Sequence, residues 1–410
     1  MVNDQNVIDT WNGAGQTSGK ISTGKDGQLS LHLSFRLIYG KSFMRVYWEW
    51  EGHPREIIPE SALWFDGEQE SGIMDLFRTG LGIDTALLHF DVGSIIDIHT
   101  PEELEQKRNS VIEFLWGDEG FPFEKLPAAV TEGIEDADFE SLENLRQIDK
   151  LTVSMEFGLN SYVYHFIPIS SNCSAAIYHQ GHGGKFTIGS RTIEALLKEG
   201  YDVYALSMPL LGMNNKPVVH TGRFGKLYIS SHEYMAFLIP EKGNSVKYFM
   251  EPVAATVNYA VRSGCDRIIM AGLSGGGWTT TLYSAIDPRI DISFPVAGSL
   301  PVYLRSQDLL KSGTLGDFEQ RVPGLYDRAN YLELYIMGAY GKGRSHLQIL
   351  NQFDACCFSG TGFRSYEPLL KQRLQELGEG KYGVFLDSTH RLHHISPRAV
   401  EVILEYLRNN

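Results

Sequence analysis

Strands alternating with helices over residues 147–410 predict an α/β fold: a mostly parallel central sheet with helices on both faces. Three observations carry this. The apolar runs at 174–178 and 268–271 are continuous, as in strands buried on both faces. Amphipathic segments with helical spacing lie between such runs. Glycine-rich turns at 181–184 and 275–277 separate strand from helix. Residues 1–65 instead alternate with period two and predict a small N-terminal β segment, and 66–146 read as an acidic connecting region with one helix.

In the β segment, Leu31, Leu33, Phe35 and Leu37 face one way and His32, Ser34 and Arg36 the other; Met44, Val46, Trp48 and Trp50 alternate likewise with Arg45, Tyr47 and Glu49. In the connecting region, Thr100 is expected to cap a helix with Pro101 in its first turn and Leu104, Val111, Ile112 and Leu115 as its apolar stripe. The acidic run 132–143 reads as a solvated connection.

From residue 150 the elements follow in order. A β-hairpin covers 150–169 and turns at 158–161. The strand 174–178 leads into Gly181-His182-Gly183-Gly184, then a helix with Ser190 as cap, Ile193, Leu196 and Leu197 inward and Gly200 as terminator. The strand 201–208 follows. Pro252 is expected to open a helix whose Val253, Val257, Ala260 and Val261 share a face. Next come a strand at 268–271, a helix at 278–285, and strands at 292–296 and 347–353. Leu370, Leu374 and Leu377 mark a helix before the strand 382–386. Ser396 and Pro397 start the last helix, with Val400, Ile403, Leu404 and Leu407 on one side. Two stretches, 209–249 and 305–344, are long for connections and are expected to wall a pocket. The first carries His220, Phe224, Tyr228, His232, Tyr234 and Phe237.

Composition narrows the function classes. The chain has 410 residues, 43% hydrophobic and 21% charged, which suits a sizeable core and excludes a disordered or fibrous protein. Fifty acidic against 36 basic residues leave a net charge of −14, which repels phosphate backbones, so no nucleic-acid partner is expected. The long uncharged stretch 268–286 contains four glycines and is not a membrane span. Residues 1–13 lack the basic start and apolar core of a signal peptide. The four cysteines, Cys173, Cys265, Cys356 and Cys357, are too few for a disulfide scaffold and read as small buried side chains.

Gly272-Leu273-Ser274-Gly275-Gly276 lies between a strand and a helix, where a nucleophilic serine needs a tight turn with only small residues beside it. The helix N-terminus that follows favours developing negative charge. An attacked carbonyl needs two amide donors: one from Gly275, after the serine, and a second from Gly184 or Gly183 in the glycine-rich loop. Asp354, after a late strand, is the expected acid, with Asp387 as rival. The base lies before the final helix, where His393 is three residues ahead of the capping Ser396, with His390 and His394 as alternatives. The order Ser274, Asp354, His393 is the one this strand–turn–helix serine arrangement uses. No HExxH, paired-cysteine or calcium-loop motif occurs, so no metal is expected.

On these residues, 147–410 resembles an α/β-hydrolase domain of the bacterial esterase and peptidase-like branch. Residues 271–278, Asp287-Pro288-Arg289-Ile290, Val296-Ala297-Gly298-Ser299 and 351–358 carry the finer likeness. The resemblance implies a Ser274–His393–Asp354 triad and no cofactor. Val7-Ile8-Asp9-Thr10-Trp11, residues 44–50 and 58–63 resemble the C-terminal half of a protective-antigen-like β domain, without its opening strands and paired aspartates. That likeness implies an extracellular or periplasmic carbohydrate setting, with Trp11, Trp48, Trp50 and Trp64 as core, interface or sugar-platform residues. The expected function is hydrolysis of a small-molecule or glycan ester, such as a carbohydrate-linked acetyl or feruloyl ester, through an acyl-enzyme. The alternatives are a serine peptidase of the same fold and a carbohydrate-binding or adhesion protein with a silent hydrolase domain.

Overall fold

The computed structural model describes residues 47–50 and 53–57 as strands, and residues 91–222, 225–305, 316–354 and 356–410 in full. The chain divides into two compact units, Met1–Ser71 and Gly72–Asn410. In the first, β1 (Tyr47–Trp50) pairs antiparallel with β2 (His53–Ile57). The expected strand over 31–37, and Trp11 and Trp64, lie outside the described residues.

In the second unit a short 3-10 turn (Val92–Ile95) precedes α1 (Pro101–Trp116). Thr100 Oγ1 accepts from the Glu103 amide at 3.2 Å and a Glu103 carboxylate oxygen accepts from the Thr100 amide at 3.0 Å, so two orphan donors are satisfied at once. Leu104, Val111 and Leu115 are buried as their spacing predicts. Buried Arg108 donates to the Ala285 carbonyl at 2.9 Å and pins the helix to the rest of the unit.

β3 (Ala129–Thr131), β4 (Leu145–Ser154) and β5 (Asn160–Pro168) form an antiparallel flank. The hairpin turns a little before the expected 158–161, because the left-handed residues are Phe157 and Gly158, and Met155 N–H closes on Leu159 O at 2.8 Å. β6 (Ser174–His179), α2 (Ser190–Lys198), β7 (Asp202–Leu206), β8 (Val218–Thr221), β9 (Gly225–Tyr228), α3 (Lys247–Arg262), β10 (Arg267–Leu273), α4 (Gly275–Ile286) and β11 (Ile292–Val296) follow. The chain ends with α5 (Tyr331–Ala339), β12 (Ser345–Asn351), α6 (Glu367–Leu377), β13 (Lys381–Asp387) and α7 (Pro397–Asn409).

Nine strands make one sheet in the order β13-β12-β11-β10-β6-β7-β5-β4-β3. The six from β13 to β7 are parallel, and β5, β4 and β3 continue antiparallel. This is the α/β fold with a mostly parallel sheet that the sequence predicts. Alternate residues of β10 enter opposite cores. Ile268 and Met270 join the layer with Trp278, Leu282 and Val253, whereas Ile269, Ala271 and Leu273 join that of Ile193, Leu197 and Ile403. All twelve residues of α4 are buried, so this helix is wrapped on every side.

Three readings of the sequence are corrected. Pro252 lies inside α3, which begins at Lys247. At the start of the helix Lys247 Nζ donates to Glu156 Oε1 and to Lys242 O, both at 2.9 Å, tying the first turn to the turn between β4 and β5. Ser190 is the first residue of α2, and Gly189 stands at its N-cap. The stretch 305–344 also holds a helix the sequence did not reveal: α5 is buried throughout and capped by Asn330, whose side chain accepts from the Leu332 and Glu333 amides at 2.9 and 3.2 Å. The cysteines are not uniformly buried. Cys173 and Cys356 are exposed, and Cys356 is joined to its neighbour Cys357 in a disulfide. Among the described residues no helix is long and apolar enough to cross a membrane.

Candidate active site

Parallel strands deliver their C-terminal loops to one edge of the sheet, and four loops matter here. The first is the turn from β10 to α4. Ser274 has φ 58° and ψ −123°, a left-handed backbone that a side-chain-bearing residue adopts only under constraint. Two hydrogen bonds supply it: Ser274 N–H to Val296 O, and Trp278 N–H to Ser274 O, both at 2.9 Å. The neighbouring glycines leave no room for a side chain. A Cβ on Gly272 would stand 2.2 Å from Gly276 O, and one on Gly276 would stand 2.0 Å from His179 O. The tight serine turn the sequence predicts is therefore a packing requirement.

The second loop follows β6. A Cβ on Gly181 would meet Ser274 Cβ at 2.6 Å and the Gly275 nitrogen at 3.0 Å, so the Gly181 backbone runs directly against the serine turn. Gly184 N–H donates to Gly181 O at 3.1 Å and is committed to the turn of its own loop. A Cβ on Gly183 would stand 3.1 Å from Gln180 Nε2 and 3.2 Å from Ile188 Cδ1, and so away from Ser274. The residue sequence reasoning missed here is Gly181, whose need for a bare Cα is set by a contact distant in sequence.

The third and fourth loops bring Asp354 and His393 together. Asp354 is buried, and His393 Nδ1 donates to its Oδ2 at 2.6 Å. The other oxygen accepts from the amides of Cys356 at 2.8 Å and Cys357 at 3.1 Å. Burial pushes the Asp354 carboxyl up, but the bond and charge of His393 and the two amides outweigh it and hold the pKa below the ordinary carboxylate value. Asn351 braces the pair: its amide reaches His394 O at 3.0 Å and Asp354 Oδ2 at 3.4 Å. With Nδ1–H bound to a carboxylate, His393 Nε2 carries the lone pair, and it is buried with no hydrogen-bond partner, Ser274 Oγ included.

The rivals sit differently. Asp387 is buried under the start of α7, where it accepts from Ser396 Oγ, from Thr389 N–H at 2.9 Å and from Thr389 Oγ1 at 2.6 Å. Burial raises its pKa, and these donors more than offset that. His390 Nε2 lies 3.3 Å from Asp387 Oδ2, and its ring packs 4.4 Å from that of His394.

A second cluster borders the serine turn. A Cβ on Gly275 would stand 2.8 Å from His182 Cε1, and His182 in turn meets His232 and Glu319, one from each of the two long stretches expected to wall a pocket. Glu319 gave no signal in the sequence, and His182 stood out only as a member of the glycine-rich loop.

No family model matches this chain, and no curated protein matches it. Solved structures do. Methylesterase BT1017 superposes at TM-score 0.55 with 15% identity, over 79% of this chain and 67% of that one. The acetyl xylan esterase of Paenibacillus sp. R4 gives 0.52 and 14% identity over 80% and 99% of the two chains. Acetyl Xylan Esterase 1 of Thermoanaerobacterium sp. JW/SL YS485 gives 0.50 and 12% over 79% and 97%. At such identities the likeness is one of fold.

Proposed function

We propose that this chain, which has the α/β-hydrolase fold, is a serine hydrolase that cleaves a carboxylic ester through a Ser274 acyl-enzyme. In this reading Ser274 Oγ attacks the ester carbonyl while His393 Nε2 takes its proton. His393 then gives that proton to the leaving alcohol, and a water repeats the sequence to release the acid. Asp354 holds the imidazole in the tautomer that leaves Nε2 free and stabilises the imidazolium that forms. The oxyanion is met by the Gly275 N–H and by a second amide from the Gly181–Gly183 stretch; Gly184 drops out because its N–H is engaged within the turn.

The observation that carries this reading is the Asp354–His393 pair at 2.6 Å, whose bare Nε2 belongs to the same sheet edge as the strained Ser274 turn. Asp387 supports it less well as the acid, because its oxygens already brace the start of α7. An acyl group on a carbohydrate is the substrate class we favour, with acetyl tested before feruloyl because two of the solved likenesses bear the name acetyl xylan esterase. An extracellular or periplasmic setting belongs to the same reading. The test is a panel of acetylated and feruloylated sugars, simple aryl esters and peptides, with Ser274→Ala as blank. Ester turnover that vanishes in the blank supports the reading. Peptide cleavage without ester turnover replaces it by the peptidase, and no turnover of any member by a probe-reactive serine removes it.

A further inference from the structure

Three side chains from distant parts of the chain converge beside Gly275. His182 Nε2 lies 3.3 Å from His232 Nδ1 and 3.3 Å from Glu319 Oε1, and His232 Nδ1 lies 3.2 Å from Glu319 Oε2. Glu319 is fully buried, and neither of its oxygens makes a hydrogen bond of normal geometry. An ionised carboxylate so placed is costly unless a cation meets it.

Acceptor oxygens lie at the outer faces of the two imidazoles. His232 Nε2 is 2.8 Å from Pro209 O, and a carbonyl only accepts, so that nitrogen carries hydrogen. His182 Nδ1 is 3.2 Å from Asp317 Oδ2, an ion-pair contact short of hydrogen-bond geometry whose negative charge favours hydrogen on that nitrogen. In the neutral rings the remaining lone pairs, on His182 Nε2 and His232 Nδ1, therefore point at each other and at the Glu319 carboxylate. Metal-binding histidines are held in this way, with the far N–H tied to a carboxylate or a backbone carbonyl.

We propose that His182, His232 and Glu319 form a site for one divalent transition-metal ion, best suited to zinc, beside the Ser274 turn. Donors about 3.3 Å apart can all stand about 2.0–2.1 Å from one ion lying slightly off their plane, the bond length of zinc to imidazole and carboxylate. Two nitrogens and one carboxylate suit zinc better than calcium or magnesium, which prefer oxygen. Three protein ligands leave one position for water or a substrate oxygen. The sequence hid the site because His182 and His232 are 50 residues apart and no metal motif spans them. This departs from the expectation of a metal-free protein. A second group within ligand reach, Cys356, Cys357 and His393, is a poorer candidate because its two sulfurs are joined to each other.

The test uses the full-length chain, stripped with a chelator, shown to be folded by circular dichroism and titrated calorimetrically with Zn²⁺. Titration with Co²⁺, followed by its visible absorption, reports the ligand set independently of activity. One equivalent of Zn²⁺ should bind, with a rise in Tm. Glu319→Gln and the partly exposed His182→Ala should each weaken binding by at least on the order of 100-fold. Ser274→Ala and the double change Cys356→Ser/Cys357→Ser should bind as the parent does. Absence of saturable one-equivalent binding to the folded chain overturns the proposal, as does unchanged binding in both Glu319→Gln and His182→Ala. Metal binding by Ser274→Ala keeps this outcome separate from the fate of the hydrolase reading.

Discussion

His393 Nδ1 and Asp354 Oδ2 stand 2.6 Å apart, and the second Asp354 oxygen is held by the amides of Cys356 and Cys357, so the carboxylate orients the ring while the backbone orients the carboxylate. Asp354→Asn keeps the shape but presents an N–H or a neutral oxygen where an anion stood. We expect kcat on the best ester to fall by roughly 10⁴, the loss a serine-protease triad shows for the same change. Steady-state kinetics at pH 7–8 check this, and a loss of less than tenfold in a folded variant would detach Asp354 from the mechanism.

The same carboxylate sets an acid limit. Its folded pKa lies below the ordinary value, because His393 and the two amides overcome burial. A depressed carboxylate pKa contributes stability that is present above the unfolded value of about 3.9 and lost as pH falls through the folded one. Relative to Asp354→Asn, the wild type should thus hold a constant Tm advantage from pH 7 to about pH 5, which shrinks below about pH 4. Melting curves across this range measure it, and an advantage that grows on acidification would mean the pKa is raised.

Of the three clustered histidines, His393 alone engages Asp354, whereas His390 leans on Asp387 and His394 packs on His390. His393→Ala should therefore collapse kcat/KM to the level of Ser274→Ala, since triad members act as a unit. His390→Ala and His394→Ala should retain most activity. A collapse in His390→Ala with activity kept in His393→Ala would transfer the base to the Asp387 side.

Gly276 passes so close to His179 that even a methyl group has nowhere to go. Gly276→Ala should lower stability by about 1–3 kcal/mol through overpacking and disturb the Ser274 turn, reducing ester turnover. Gly222, with open space around the corresponding position, is the control: Gly222→Ala should change stability by no more than about 0.5 kcal/mol. Equal effects at the two positions would contradict the account of the turn.

Much of the fold was legible because its signals are local. Continuous apolar runs mark β6, β10 and β11, and Thr100 with Pro101, and Ser396 with Pro397, mark two helix starts that the structure keeps. What was not legible depends on distant partners. Pro252 reads as a helix start, but the helix begins five residues earlier at Lys247, whose side chain is held by Glu156, 91 residues away in sequence. The helix Tyr331–Ala339 is buried on all sides and so lacks the polar face that would reveal it. In the candidate site, the Ser274 turn carries a pattern of glycines. Glu319 owes its place to contacts across the fold and has no pattern of its own, and Gly181, though part of the glycine-rich turn, owes its closeness to Ser274 to the same kind of contact.

The central claim is that Ser274 is an activated nucleophile. Mass spectrometry of the full-length protein after treatment with a fluorophosphonate probe tests it most directly. A single adduct mapped to Ser274 is expected, absent in Ser274→Ala and strongly slowed in His393→Ala. An untouched Ser274 in the folded wild type, or a sole adduct on another residue, would contradict it.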